Sequence, residues 1–159
     1  MKIDILCVGK IKEKFYEDAL KEYLKRLSRY ATVSVCEVKD EKTIEGASQH
    51  EDELVMRKEG ERISKLIDDD AYLVSLCIEG QQASSEEFAR QITAIENKGK
   101  SHIQFVIGGS LGIDEQIKQR SNERLSFSKM TFPHQLMRVI LLEQIYRAYR
   151  IKNNEPYHK

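Results

Sequence analysis

The chain has 159 residues, of which 40% are hydrophobic and 33% charged, with 26 basic side chains against 26 acidic ones. That length can bury a core without disulfide or metal staples, and the composition excludes disordered and membrane-embedded chains. A formal net charge of zero argues against a protein that grips nucleic acid by bulk electrostatics.

Lys2–Val8 alternates and closes on Gly9, which predicts a first strand; no small-residue cleavage site follows, so it is not a signal peptide. Phe15, Ala19, Leu20, Tyr23, Leu24 and Leu27 recur at spacings of three and four, an amphipathic helix of about four turns. A second strand is expected over 33–38, then a polar, acidic loop over 39–49 of the mobile kind. The next helix would turn Leu54, Met56, Ile63, Leu66 and Ile67 inward. The apolar run 71–78, bounded by three aspartates and Glu79-Gly80, has the look of a buried central strand. Ser84 with Glu87 three residues on is a capping box that opens a helix using Phe88, Ile92 and Ile95 and ending near Gly99. Residues 103–107 form a further short strand, and a last long helix begins at Pro133 and runs to about Lys152.

Strands alternating with helices, the buried strands being continuous apolar runs, define an α/β fold with a largely parallel sheet flanked by helices. With two prolines, no repeats and no low-complexity linker, residues 1–159 form a single domain. Cys7, Cys36 and Cys77 are odd in number, lack C-x-x-C spacing and sit in apolar runs. They read as small hydrophobes in a reducing, cytoplasmic protein, with neither disulfide nor metal site.

Charge is unevenly distributed. Residues 37–70 hold twelve acids against six bases, whereas 116–159 hold nine bases against three acids. Two readings stand: ordinary solvated helix faces, or a C-terminal end that faces an anion.

In open parallel sheets ligands bind beyond the carboxyl ends of the strands. Three segments fall there: Leu76 to Gly80, Gly108 to Gly112, and Leu125 to His134. The glycines of Gly108-Gly109-Ser110-Leu111-Gly112 would let backbone approach a ligand. They match neither the dinucleotide-binding G-x-G-x-x-G nor a P-loop, which has a lysine here absent. In the third segment Ser126, Ser128 and Thr131 interleave with Phe127, Met130 and Phe132, a mixture of hydroxyls, amides and flat walls suited to an adenine and a ribose. It also reads as a plain strand leading into a capped helix. The last helix is apolar over more than half its circumference, so it is either central or shared with a second copy, for which a two-fold dimer is the economical form. The tail Pro156-Tyr157-His158-Lys159 is either a stub or a lid over the site.

Together, residues 105–112 (Phe-Val-Ile-Gly-Gly-Ser-Leu-Gly), 125–134, Tyr146-Arg147-Ala148 and the terminal Pro-Tyr-His-Lys resemble the SPOUT class of knotted methyltransferases, specifically its bacterial members that act on large-subunit ribosomal RNA. The likeness spans the chain. It implies a C-terminal trefoil knot and a homodimer with the active site at the subunit interface. It implies S-adenosyl-L-methionine held largely by backbone at Leu76, at Gly108, and at Phe127, Ser128, Lys129, Met130, Thr131 and Phe132. The implied reaction is methylation of N3 of a pseudouridine in a 23S rRNA stem-loop on the assembled ribosome. Such a reaction needs near-attack placement of donor and acceptor, and a base or an anion stabiliser for the acceptor nitrogen. Tyr157, Lys159, Arg147 and His158 are the candidates, whereas His134, near a helix start, reads as structural. In relatives the terminal basic role goes with arginine; Lys159 keeps the charge but loses the planar fork. A ribosome-associated binding module without catalysis, or a nucleotide-dependent oxidoreductase, would account for fewer of these features.

Overall fold

The computed structural model describes residues 1–159. Its elements are β1 (Lys2–Val8), α1 (Lys14–Leu27), β2 (Thr32–Val38), α2 (Gln49–Ser64), β3 (Tyr72–Gln82), α3 (Ser85–Asn97), β4 (His102–Ile107), α4 (Glu115–Arg120), β5 (Glu123–Ser126) and α5 (His134–Lys152). The sheet has the order β2-β1-β4-β3-β5, and every pairing in it is parallel. The strand at the centre is therefore β4, not the run at 71–78. No helix is long and apolar enough to cross a membrane.

The two faces of the sheet follow from the period of two along each strand. Ile3, Ile5 and Cys7 of β1 and Ile103, Phe105 and Ile107 of β4 point to one side, where α1, α3 and α5 cover them. Leu6, Val8 and Val106 point to the other and meet Ile63 of α2 and Ile117 of α4. Cys7 is fully buried, which pushes its thiol up to about 12 and leaves it unreactive.

Several expected core positions lie elsewhere. Phe15 is exposed at the first turn of α1, and Leu54 and Leu66 also face out. α2 instead buries Glu59 and Gly60; a Cβ at Gly60 would sit 2.8 Å from Asp114 Cβ, so the missing side chain sets how closely α2 and the start of α4 approach. The capping box at Ser84–Glu87 is present, and Ser48–Glu51 makes a second one. α4 was not anticipated, and β5 only as one reading of the segment that leads into α5: the first is six residues anchored by Ile117, the second four residues with Leu125 as its one buried apolar side chain. Pro133 caps α5 from just outside the first helical residue. Leu141, Leu142, Ile145, Ala148 and Tyr149 of α5 join the core shared with α1 and α3, so two flanking helices account for much of its apolar circumference within one chain.

Polar groups close both ends of the sheet. At the N-terminal end, Asp4 accepts from Ser34 Oγ (2.7 Å) and Gln104 Nε2 (3.0 Å) and lies 2.7 Å from His102 Nε2. Burial alone would raise this carboxyl; the three partners outweigh it and hold it below the ordinary value. At the C-terminal end, the side chain of Arg138 is fully buried. Its Nη2 donates to the carbonyls of Val8 (3.0 Å) and Gly9 (2.8 Å), and its Nη1 donates to Glu37 (2.8 Å). A guanidinium with several donors can satisfy two strand-end carbonyls and a carboxylate at once, which makes its burial tolerable.

Candidate active site

Beyond the carboxyl ends of β3, β4 and β5 lies a cavity of about 370 Å³. Residues 76–79 form one wall, the turn 107–113 another, and residues 125–128 and 130–132 a third, with His134 and Met137 of α5 closing it. It opens because β3 leaves its ladder. Both Leu76 and Gln81 pair with Leu125, so the residues between them bulge away from β5. Gly80 permits this, since a Cβ there would lie 2.7–2.8 Å from the backbone of Arg124 and Leu125.

The glycine turn works differently from the expectation of close approach to a ligand. A Cβ on Gly108 would collide with the Gly112 carbonyl group at 2.5–2.6 Å, so the space is taken by the turn itself. Gly112, at φ +100°, supplies the left-handed residue that lets the chain reverse, and its N–H donates to the Gly109 carbonyl at 3.1 Å. The amides of Ser110 and Leu111 donate to no group of the chain. In the third wall, Ser126 Oγ donates to the Ser128 carbonyl (3.0 Å) and Ser128 Oγ accepts from the Met130 N–H (3.0 Å), leaving the amides of Thr131 and Phe132 likewise without an acceptor. Phe127 stands edge-on to Phe88 at 6.3 Å.

Thus Leu76, Gly108, Phe127, Ser128, Met130, Thr131 and Phe132 surround one space, while Lys129 does not line it. Sequence reasoning missed the pair Lys118–Glu79 at this wall (2.5 Å), in which the ammonium holds the carboxyl below its usual range. His134, read as structural from its place near a helix start, is also one of the residues lining the cavity. Burial, and then the charge of Arg138, lower the His134 pKa, favouring the neutral imidazole. Met137 could have been found, since it lies three residues after His134 on the same helix face.

The tail forms a second, separate cluster. Tyr157 Oη donates to Glu143 (3.0 Å), Arg147 pairs with Glu143 (2.5 Å), and the Arg147 guanidinium lies 4.7 Å from the centre of the Tyr157 ring. Because an arginine can only donate, Nδ1 of His158 accepts from it (3.2 Å), so Nε2–H donates to Glu86 (2.8 Å). Burial first, and Glu143 second, push the Tyr157 phenol up to about 12, so it stays protonated and serves as a donor. None of these residues lines the cavity. Met137 and Arg147 are ten residues apart on α5, about 15 Å at the rise of a helix.

The basic excess of the C-terminal third is mostly neutralised. Lys118, Arg120, Arg124, Arg138, Arg147, Arg150 and Lys152 all pair with carboxylates. Lys129 and Lys159 remain without an ion-pair partner, one within the loop 127–132 and one at the end of the tail.

A parallel sheet with three loops meeting over its carboxyl edge defines a ligand-binding α/β enzyme fold. A family model described as a predicted SPOUT methyltransferase matches residues 1–158, and the chain belongs to that family. It is 60% identical to the ribosomal RNA large subunit methyltransferase H of Bifidobacterium animalis subsp. lactis and 58% identical to that of Bifidobacterium adolescentis. It is 56% identical to the protein of the same name from Bacillus cytotoxicus; all three comparisons cover 159 residues and the full length of both chains.

Methyltransferases of this family use S-adenosylmethionine. The cavity suits such a group: it has the volume of a small-ligand site, apolar walls at Ile107, Leu125 and Phe127, and four backbone amides with no acceptor in the chain. Recognition by amides instead of side chains leaves no side-chain fingerprint in the sequence.

Proposed function

We propose that this chain methylates N3 of a pseudouridine in a stem-loop of 23S ribosomal RNA on the assembled ribosome, working in the cytoplasm as a homodimer. The observation that carries the reading is the convergence of three separate loops, at Leu76, Gly108 and residues 127–132, on one cavity. The names of the relatives supply the RNA. Residues 1–159 act as one domain, and the segment from β4 to α5 is the part that threads the trefoil knot of the family.

When bound, S-adenosylmethionine supplies a methyl group on a sulfonium, transferable by in-line displacement. The chain's own contribution is placement and electrostatics. The free amides of Ser110, Leu111, Thr131 and Phe132 hold and orient the ligand, and Phe127 excludes water. The tail does not line the cavity of its own subunit, and Arg147 stands about 15 Å along α5 from Met137, which supports the reading that it serves the cavity of a second copy. Met130 and Ile78, 74% and 47% exposed at the cavity, are the apolar rim that a second copy would cover. There Tyr157 exchanges its hydrogen bond to Glu143 for one to a carbonyl of the acceptor base, stabilising the imide anion left when the N3 proton passes to water, with Arg147 fixing the ring. Lys159 offers its unpaired charge to RNA phosphate, and His158 ties the tail to α3.

Thermal denaturation tests the cavity. S-Adenosylmethionine and S-adenosylhomocysteine at about 100 times their Kd are expected to stabilise the protein by about 2.7 kcal/mol, and NAD by nothing. Stabilisation by NAD alone would point to an oxidoreductase, and no stabilisation by any of the three would favour a binding module.

A further inference from the structure

α2 carries a buried carboxylate with no evident structural duty. Glu59 is 4% exposed, and its Oε1 has no hydrogen-bond partner although it is shielded from solvent. Its Oε2 accepts the backbone N–H of Glu41 at 3.1 Å. An unsatisfied carboxyl oxygen in the interior is costly, and this one lies against the glycine turn. A Cβ on Gly109 would be 3.2 Å from both Glu59 oxygens and 3.2 Å from Val8 Cγ1. The other side of that turn is the wall of the cavity.

The geometry points to Glu59 as a positioning residue for the cofactor loop. Its carboxyl is wedged between the backbone of Glu41 and the Cα of Gly109, and it fixes the depth at which the turn presents the amides of Ser110 and Leu111. Glu41 in turn is tied to α2 through Arg62, which also donates to the Lys39 carbonyl (2.8 Å). The wedge is therefore braced from the β2–α2 loop as well as from the helix. Burial raises the pKa of Glu59, opposed by the hydrogen bond from the Glu41 N–H and by Arg62, while the charges of Asp40 and Glu41 act with burial. Glutamine would keep the shape of the wedge and its acceptor for the Glu41 N–H.

The inference rests on the reading of the cavity as the S-adenosylmethionine site, and its test separates the two. Calorimetric Kd values for S-adenosylmethionine, kcat and KM, and melting temperatures would be measured on full-length wild type, E59Q, E59A, G109A and the E59A/G109A double variant. E59Q should bind within about twofold of wild type. E59A and G109A should each weaken binding about tenfold, raising KM more than they lower kcat. The double variant should be no weaker than the worse single variant, because removing the carboxyl frees the room a Cβ at 109 needs. Binding of E59A equal to wild type, or a double variant about a hundredfold weakened as independent effects would give, overturns the wedge. Failure of wild type itself to bind S-adenosylmethionine overturns the reading of the cavity instead.

Discussion

Deleting residues 156–159 is expected to lower methyl transfer about 10²- to 10⁴-fold, the range associated with losing positioned proton-transfer and anion-stabilising groups. The Kd for S-adenosylmethionine should change by less than about twofold. The split follows from the separation of the two clusters. The cavity is walled by the three loops and by His134 and Met137, whereas Tyr157 and His158 contact Glu143, Arg147 and Glu86 and line none of it. The substitution Tyr157→Phe isolates the donor: it keeps the ring under Arg147 and the contact with Tyr146 at 4.9 Å but removes the hydroxyl. It should lower kcat with little effect on cofactor binding. Normal turnover by the truncated chain on intact ribosomes would mean that the tail has no part in the chemistry.

Replacing Arg138 with Met is expected to cost about 3–5 kcal/mol of stability, the range for breaking a buried ion pair from one side. At roughly 2–4 °C per kcal/mol for a chain of this size, the melting temperature should fall by about 6–20 °C. The substitution leaves the Val8 and Gly9 carbonyls without their donor and Glu37 without its cation. Glu37 keeps one partner, the N–H of Ile11 at 2.8 Å, so the loss does not include that bond. Arg138→Lys should recover part of the difference, since one ammonium cannot reproduce the fork that spans the carbonyls and the carboxylate. A loss below about 1 kcal/mol, read by urea denaturation, would show that the buried guanidinium is not what ties α5 to the end of β1.

How far the fold was legible depended on whether an element announces itself by its own residues. β1 and β4 were readable because their period-two apolar faces meet helices on both sides, and α3 because Ser84 and Glu87 sit at capping distance. β5 was less so, because it has one buried apolar side chain and is held by pairing with β3, 44 to 49 residues earlier. In α2 periodicity places Ile63 inward correctly, but the other buried residues are Glu59 and Gly60, which it is bound to assign outward.

The candidate site divides in the same way. Glycines at 108–112 and alternating hydroxyls and aromatics at 126–132 marked two walls correctly. The bulge of β3 could not be read, because Cys77 and Ile78 continue an apolar run without interruption. The basic excess of the last third left two readings open, because its neutralising partners are remote in sequence: Glu79 for Lys118, Glu37 for Arg138 and Glu96 for Lys152. The expectation of a knot came only from family resemblance, and that of a dimer from the resemblance together with the apolar excess of the last helix.

The most direct test of the central claim uses ribosomes from cells lacking this chain, incubated with the purified protein and S-adenosylmethionine carrying a labelled methyl group. Mass mapping of the ribosomal RNA should then find one new methyl group per ribosome, on a pseudouridine of the 23S RNA, with free 23S RNA a much poorer substrate. An unlabelled 23S RNA under conditions where the protein binds S-adenosylmethionine would contradict the proposed reaction, and equal labelling of free RNA would contradict the assembled ribosome as its substrate.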